Sequence, residues 1–368
     1  MCHLIYTDTF YMKRKWIRWV SWILLTPIIL FVILMVLLYV PPVQNLLRRE
    51  VTAYASKATG MQIQVERIDL RFPLNLLVRG VEVIQQPDTL LSLESLNVRV
   101  QAWPLIKGKV EVDEVTLSRV AVNSADLMEG MKIKGVLGRF FLQSHGVDLS
   151  NELAVINQVE LSDTHVQLLM NDTTTTPKDT TASAPINWKV ALHQLKLKNV
   201  SFSMQLPADS MRMAAHIGEA AINNAQADLK NQYYDLKKFL LSGTSASYDT
   251  GTAQPTEGFD ASHIAVRDIR IALDSLLYKG RDMNAVIREF TMNERSGLSV
   301  TSLTGRAYSN DSVICVPSLK LNTPHSEIDL SAHTYWELVN IPTTGRLSAR
   351  LNAYIGKEDV MLFAGALP

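Results

Sequence analysis

The side chains best suited to chemistry are dispersed. The eight histidines, His3, His145, His165, His193, His216, His263, His325 and His333, never come closer than eight residues to one another. A helical zinc site needs two of them one turn apart around a glutamate, and no such pair exists. His325 and His333 bracket one strand-like stretch and read as exposed or capping histidines. Cys2 and Cys315 stand at opposite ends of the chain, so no disulfide framework is available. Cys315 sits in the apolar run Val313, Ile314, Cys315, Val316 and reads as a small buried hydrophobe. Adjacent carboxylates such as Asp113 and Glu114 fall at a strand end, where solvation is their ordinary state. There is no serine-nucleophile elbow, no dinucleotide fingerprint and no phosphate-cradling glycine loop. The expectation is a non-enzymatic protein without cofactor or metal.

Charge narrows the partners. Lys and Arg number 36 and Asp and Glu number 36 in 368 residues, so no net field recruits nucleic acid. Local charge is informative at one place. Lys13, Arg14, Lys15 and Arg18 precede a stretch, residues 19–40, that contains no charged side chain. Trp19, Trp22, Leu24, Leu25, Ile28, Ile29, Leu30, Phe31, Ile33, Leu34, Leu37 and Tyr39 populate it, and about 20 apolar residues suffice to cross a bilayer as a helix. Tryptophans at its start and Tyr39 at its end suit the interfacial belts, and the basic cluster places residues 1–18 in the cytoplasm and the rest across the membrane. Its length and the lack of a small-residue cleavage site favour an uncleaved anchor over a signal peptide. Met12, just ahead of the basic cluster, is an alternative translation start.

Beyond residue 40 the chain is organised by period. Residues 41–60 predict a short amphipathic helix, with Val43, Leu47, Val51, Tyr54, Ala55 and Ala58 on one side and Arg48, Arg49, Ser56 and Lys57 on the other, ended by Gly60. From Met61 the period becomes two. Ile63 and Val65 alternate with polar residues. The pattern slips at Glu66 and Arg67, as a bulge would cause, and resumes at Ile68 and Leu70. Val81 and Val83, Leu91 and Leu93, Val110 and Val112, and Val115 and Leu117 continue it, with Arg79-Gly80, Gln86-Pro87-Asp88, Lys107-Gly108, Ser296-Gly297 and Asn310-Asp311 as turns. Many short strands with few helices predict a mostly β, antiparallel meander in two blocks, 61–170 and 188–368. Between them, the Thr-rich residues 171–187 lack the apolar area to order themselves and predict a disordered linker whose deletion is tolerated. Residues 242–258 predict a second long loop.

The stretches GMQIQVERIDL (60–70), VRGVEV (78–83), LLSLESLNVRV (90–100) and WPLIKGKVEVDEVTL (103–117), in this order after an anchor, resemble the opening of the AsmA-like superfamily. Later pieces, ERSGLSVTSLTG (294–305) and LNTPHSEIDL (321–330), resemble its TamB family. The resemblance implies a protein of the inner membrane, single-pass, whose periplasmic strands curl into an apolar groove. It implies phospholipid as ligand and a part in outer-membrane protein assembly with a barrel partner of the TamA type. TamB proteins are much longer than this chain, and residues 363–368 stop inside what reads as further β pattern, so a fragment of a longer protein is expected. Ile63, Val65, Val81, Val83, Leu91, Leu93, Val110, Val112, Val115 and Leu117 are the candidate groove lining. Alternation alone leaves a closed β-sandwich open as the fold, and an envelope scaffold that binds a protein partner along its sheet edge open as the function.

Overall fold

The computed structural model describes residues 39–72, 74–101, 103–104, 111–124, 130–148, 151–170, 187–340 and 345–364. The anchor stretch lies outside these residues apart from Tyr39 and Val40, as do the topology signal at Lys13, Arg14, Lys15 and Arg18 and most of the Thr-rich linker. Among the described residues no helix is long and apolar enough to cross a membrane.

The first element, α1 (Pro41–Thr59), begins on the two prolines, whose fixed φ suits a first helical turn. It ends on Gly60, left-handed at φ 70°, whose N–H donates to the Ser56 carbonyl. Much of its apolar stripe is turned away from the sheet. Leu47, Val51 and Tyr54 are exposed, and the side of α1 that meets the sheet carries Gln44, Arg48 and Ser56. The reason is the strand beside it. As an outermost strand, β1 (Gln62–Arg71) has one row of backbone groups without a strand partner. Gln44 donates to the Leu70 carbonyl at 2.9 Å, Arg48 to the Val65 carbonyl at 2.9 Å, and the Ile63 N–H donates to Ser56 Oγ at 3.1 Å. Side chains of α1 thus take the place of a neighbouring strand.

The strands form one open 16-stranded sheet, ordered as in the chain, with the two-residue β12 paired aside on β11. They are β2 (Asn75–Gln85), β3 (Asp88–Val100), β4 (Val112–Asn123), β5 (Met131–Asp148), β6 (Leu153–Met170), β7 (Lys189–Leu206), β8 (Met211–Asp228), β9 (Tyr233–Asp249), β10 (His263–Lys279) and β11 (Asp282–Glu294), then β12 (Ser299–Val300), β13 (Ser302–Ser309), β14 (Val313–Asn322), β15 (Glu327–Tyr335) and β16 (Leu347–Tyr354). Neither the second sheet of a sandwich nor a closing β1–β16 pair is present among the described residues. All neighbours pair antiparallel except β6 and β7, which are parallel from Leu153 beside Lys189 to Leu169 beside Gln205. This departs from the pure antiparallel meander, and it makes the join between the two expected blocks a continuous part of one sheet.

Three further expectations are corrected. Arg79-Gly80 is no turn: β2 passes straight through it. Residues 242–249 are strand, so the second long loop shrinks to residues 250–262; small Ser and Ala side chains there still pair on both sides, Ala246 with Ala215 and with Val266. The chain does not continue as β pattern at the end. After a short α2 (Trp336–Asn340), α3 (Lys357–Ala364) crosses the rim of the sheet. Asp359, in its first turn, accepts hydrogen bonds from the Thr323 and Ser326 hydroxyls, which hold its carboxyl below the usual range. The Leu362 carbonyl accepts the Phe259 N–H at 2.8 Å, and the Phe259 and Phe363 rings lie 5.3 Å apart. On the same rim, Asp260 accepts the Thr256 and Ser262 N–H groups and meets His263 Nδ1 at 3.0 Å. These bonds, the backbone ones foremost, hold its carboxyl far below its ordinary value.

Candidate functional site

The apolar side chains of successive strands fall into rows that cross the sheet. One row runs Ile68, Val78, Leu96, Leu117, Phe140, Leu161, Leu197, Ala220, Leu241, Ile271 and Phe290, each facing the next in the register. A second runs Val65, Val81, Leu93, Val120, Leu137, Thr164, Val200 and Ile217. Within every strand the step from one row to the other is three residues, not two: Val65 to Ile68, Leu93 to Leu96, Leu117 to Val120. Strict alternation would have put the second row on the opposite face.

The missing residue lies at a seam. Between the two rows each strand pair drops one facing pair from the ladder: Glu66 with Gly80, Glu94 with Arg119, Gly138 with Asp163, Asn199 with Gly218. From β1 to β8 the register is the same on either side, so this is no inserted residue on one strand but a matched irregularity on both; at β10 the register shifts by one residue against both neighbours, as a bulge does. The backbone turns left-handed at Gly80, Arg119, Asp163, Asn199, Gly243 and Asp268, at φ between 47° and 58°. Each facing pair is either reconciled by a glycine or tied by polar groups. A β-carbon on Gly80 would stand 2.7 Å from Glu66 Cβ, and one on Gly138 2.7 Å from Asp163 Cβ. Arg119 pairs with Glu94, Asn199 donates to Asp163 at 2.8 Å, and Asn293 donates to Asp268 at 3.2 Å.

A second seam crosses the longer strands. Asn157, His193, Asn224 and Lys237 drop out of the ladder together, Asn224 at φ 57°. Asn157 meets His145 at 2.5 Å, His193 meets Asn224 at 3.3 Å, and Arg288 pairs with Asp274 at 3.4 Å. Again the apolar pattern steps by three, Leu192 to Leu195 and Leu236 to Phe239. Three of the scattered histidines are therefore seam or rim residues, whereas His325 and His333 sit toward opposite ends of β15, beside α3 and beside Cys315.

The candidate lining residues fall on this apolar face. Ile63, Val83 and Leu91 share a row; Val65, Val81 and Leu93 share the next; Val115 faces Val98, Leu117 faces Leu96 and Val112 faces Val100. Val110 lies outside the described residues. Ile63 and Val65 lie on β1, against which α1 packs; over the others no further layer lies among those residues, α2 packing on β15 and the strands on their neighbours in the chain. Even so, Val65, Leu93 and Ala220 are buried, and most of the rows are half-buried. The seams escaped sequence reading, although the three-residue step in the apolar pattern was their signal. No family model matches this chain, and no curated protein matches it.

Proposed function

We propose that this is a membrane-anchored envelope protein whose apolar sheet face forms a groove for the acyl chains of phospholipid. The observation that carries the reading is the uncovered apolar face held continuous across the sheet by the seams. An irregularity at one level from β1 to β10 would bend the sheet along a line, and a second such line across the longer strands would make a trough whose axis runs from strand to strand. The burial of Leu93 and Ala220 without a covering layer supports an apolar interior. Acyl chains supply such a surface with about 0.8 kcal/mol per CH₂ withdrawn from water. A path of uniform apolar rows has no need of a catalytic residue. The resemblance to the AsmA-like superfamily and TamB supports the same reading. It adds residues 19–40 as an inner-membrane anchor, a periplasmic location, and an outer-membrane barrel partner of the TamA type. One observation favours the scaffold reading: β16 is an outer strand with Leu347, Leu351 and Tyr354 exposed, and offers its free edge to an added strand of a protein partner.

The test is Val112→Asp, scored for thermal unfolding and for photo-crosslinking to phospholipid in the same preparation. On an open face the carboxylate reaches water along the groove mouth, so the protein stays folded, while acyl chains avoid the charge and crosslinks are lost. If the face is the core of a closed structure, the unpaired charge removes roughly 3–5 kcal/mol of stability and the melt collapses. A folded variant with undiminished crosslinking rejects lipid passage at this point.

A further inference from the structure

The opposite, polar face carries a hollow that the groove does not use. Ser201 and Ser203 on β7, Ala214 on β8, and Ser245 and Ser247 on β9 floor a depression of about 710 Å³. The intervening row of Phe202, Ala215, Ala246 and Val266 also lines it, between the two polar rows, whereas the next apolar-side row, Met204, Met213 and Tyr248, does not, which favours the polar face. The rim is cationic. Arg267 on β10 faces Asn293 in the register, and Arg295 follows Asn293 by two, so the two arginines stand on a cross-strand diagonal, a separation of about 7–8 Å between backbones. Neither guanidinium has a side-chain partner among the described residues. Across the hollow, His216 Nδ1 lies 3.0 Å from Ser201 Oγ, and His165 completes the wall. Among the described residues no carboxylate lines it. The nearest ones are engaged elsewhere: Asp268 accepts from Asn293 at the seam, and Glu294 accepts the Ala265 and Ser296 N–H groups. The same strip continues over Ser203 into a second hollow of about 250 Å³ that Lys134 and Gln167 line.

Two guanidiniums on neighbouring backbone positions repel, and both gain from one shared oxyanion, whose geometry their planar forks match bidentately. Hydroxyls on the floor supply further donors, and the adjoining hollow beside Lys134 gives room for a second anionic group. The geometry points to a binding site for a ligand carrying two linked phosphoryl groups, on the face opposite the apolar rows. This assignment does not rest on the lipid reading.

The experiment is calorimetric titration of the full chain in neutral detergent with inorganic pyrophosphate at fixed ionic strength. Saturable one-site binding is expected. The Arg267→Gln/Arg295→Gln double variant, shown by circular dichroism to keep its β signal, weakens it by roughly tenfold or more, as loss of charge-assisted bonds does. Arg350→Gln, on exposed β16, leaves it unchanged. Absence of saturable binding, equal affinity in the double variant, or an equal loss in Arg350→Gln overturns the site. Competition by a short-chain alkyl diphosphate below its micellar concentration identifies the source: displacement at lower concentration than methyl diphosphate requires marks a lipid headgroup, and displacement at equal concentration marks a soluble diphosphate ester. Pyrophosphate binding is read on the wild-type chain and on arginine variants that the groove reading does not use, so failure of the groove and failure of this site are separable.

Discussion

A β-carbon added at Gly218 would stand 2.7 Å from the Gly243 carbonyl oxygen and 3.0 Å from that of Ser242. Both obstacles are backbone, so neither can rotate away. Gly218→Ala therefore has to part β8 from β9 at the seam, and we expect a loss of about 1–3 kcal/mol in denaturant unfolding, in the range of overpacking a tight site. An unchanged midpoint would mean that the seam relaxes without penalty. The same residues show what was legible. Leu93 and Leu96, or Leu117 and Val120, carry the three-residue step openly in the sequence. Gly80 misled because arginine followed by glycine is ordinary turn chemistry, and only its partner, Glu66 on the next strand, reveals that the glycine makes room for a side chain. The polar face was still less legible. Arg267 and Arg295 are separated in sequence by the rest of β10, a turn and all of β11, and become neighbours only through the β10–β11 register.

At the scale of elements, the parallel pairing of β6 and β7 has the largest consequence. From Leu153 to Leu169 the pair extends roughly 53 Å at the ordinary rise per residue. The chain leaves β6 at Met170 and must enter β7 at Lys189, near the other end. Roughly nineteen Cα steps join them and reach at most about 63–68 Å. Removing ten residues leaves about 30 Å at the same reach per residue, too little for this register. The tolerance expected of a loop deletion is thereby reversed. A chain lacking residues 173–182 should lose the β6–β7 pairing, read as lost amide-exchange protection in β6 and β7, whereas replacing the same ten residues by a Gly/Ser sequence of equal length should keep it. Retained protection in the shortened chain would disprove the parallel connection. Nothing in the Thr-rich text signals strand direction, since direction is decided by which end of β6 the returning chain reaches. Helix α3 was hidden for a related reason. Val360, Met361, Leu362 and Phe363 read as strand in isolation, and the Asp359 contacts to Thr323 and Ser326 that seat the helix come from a distant turn.

At the scale of the whole molecule, the expected arrangement across the membrane has a direct reading. If Lys13, Arg14, Lys15 and Arg18 hold the N-terminus inside as proposed, a reporter fused after Leu47, or at Pro368, should be active on the side opposite the cytoplasm. Cytoplasmic activity at both positions would remove the location on which lipid passage between membranes depends. The seams bear on the molecule's history as well. Among the described residues each is tied by pairs on adjacent strands, such as Glu94 with Arg119 or Asn199 with Asp163. A duplicated hairpin would bring its own seam residues and disturb only the two strands it parts. Reach is then a heritable quantity that changes in increments of about 4.8 Å per strand, free of the global refitting that a closed barrel demands whenever a strand is gained or lost.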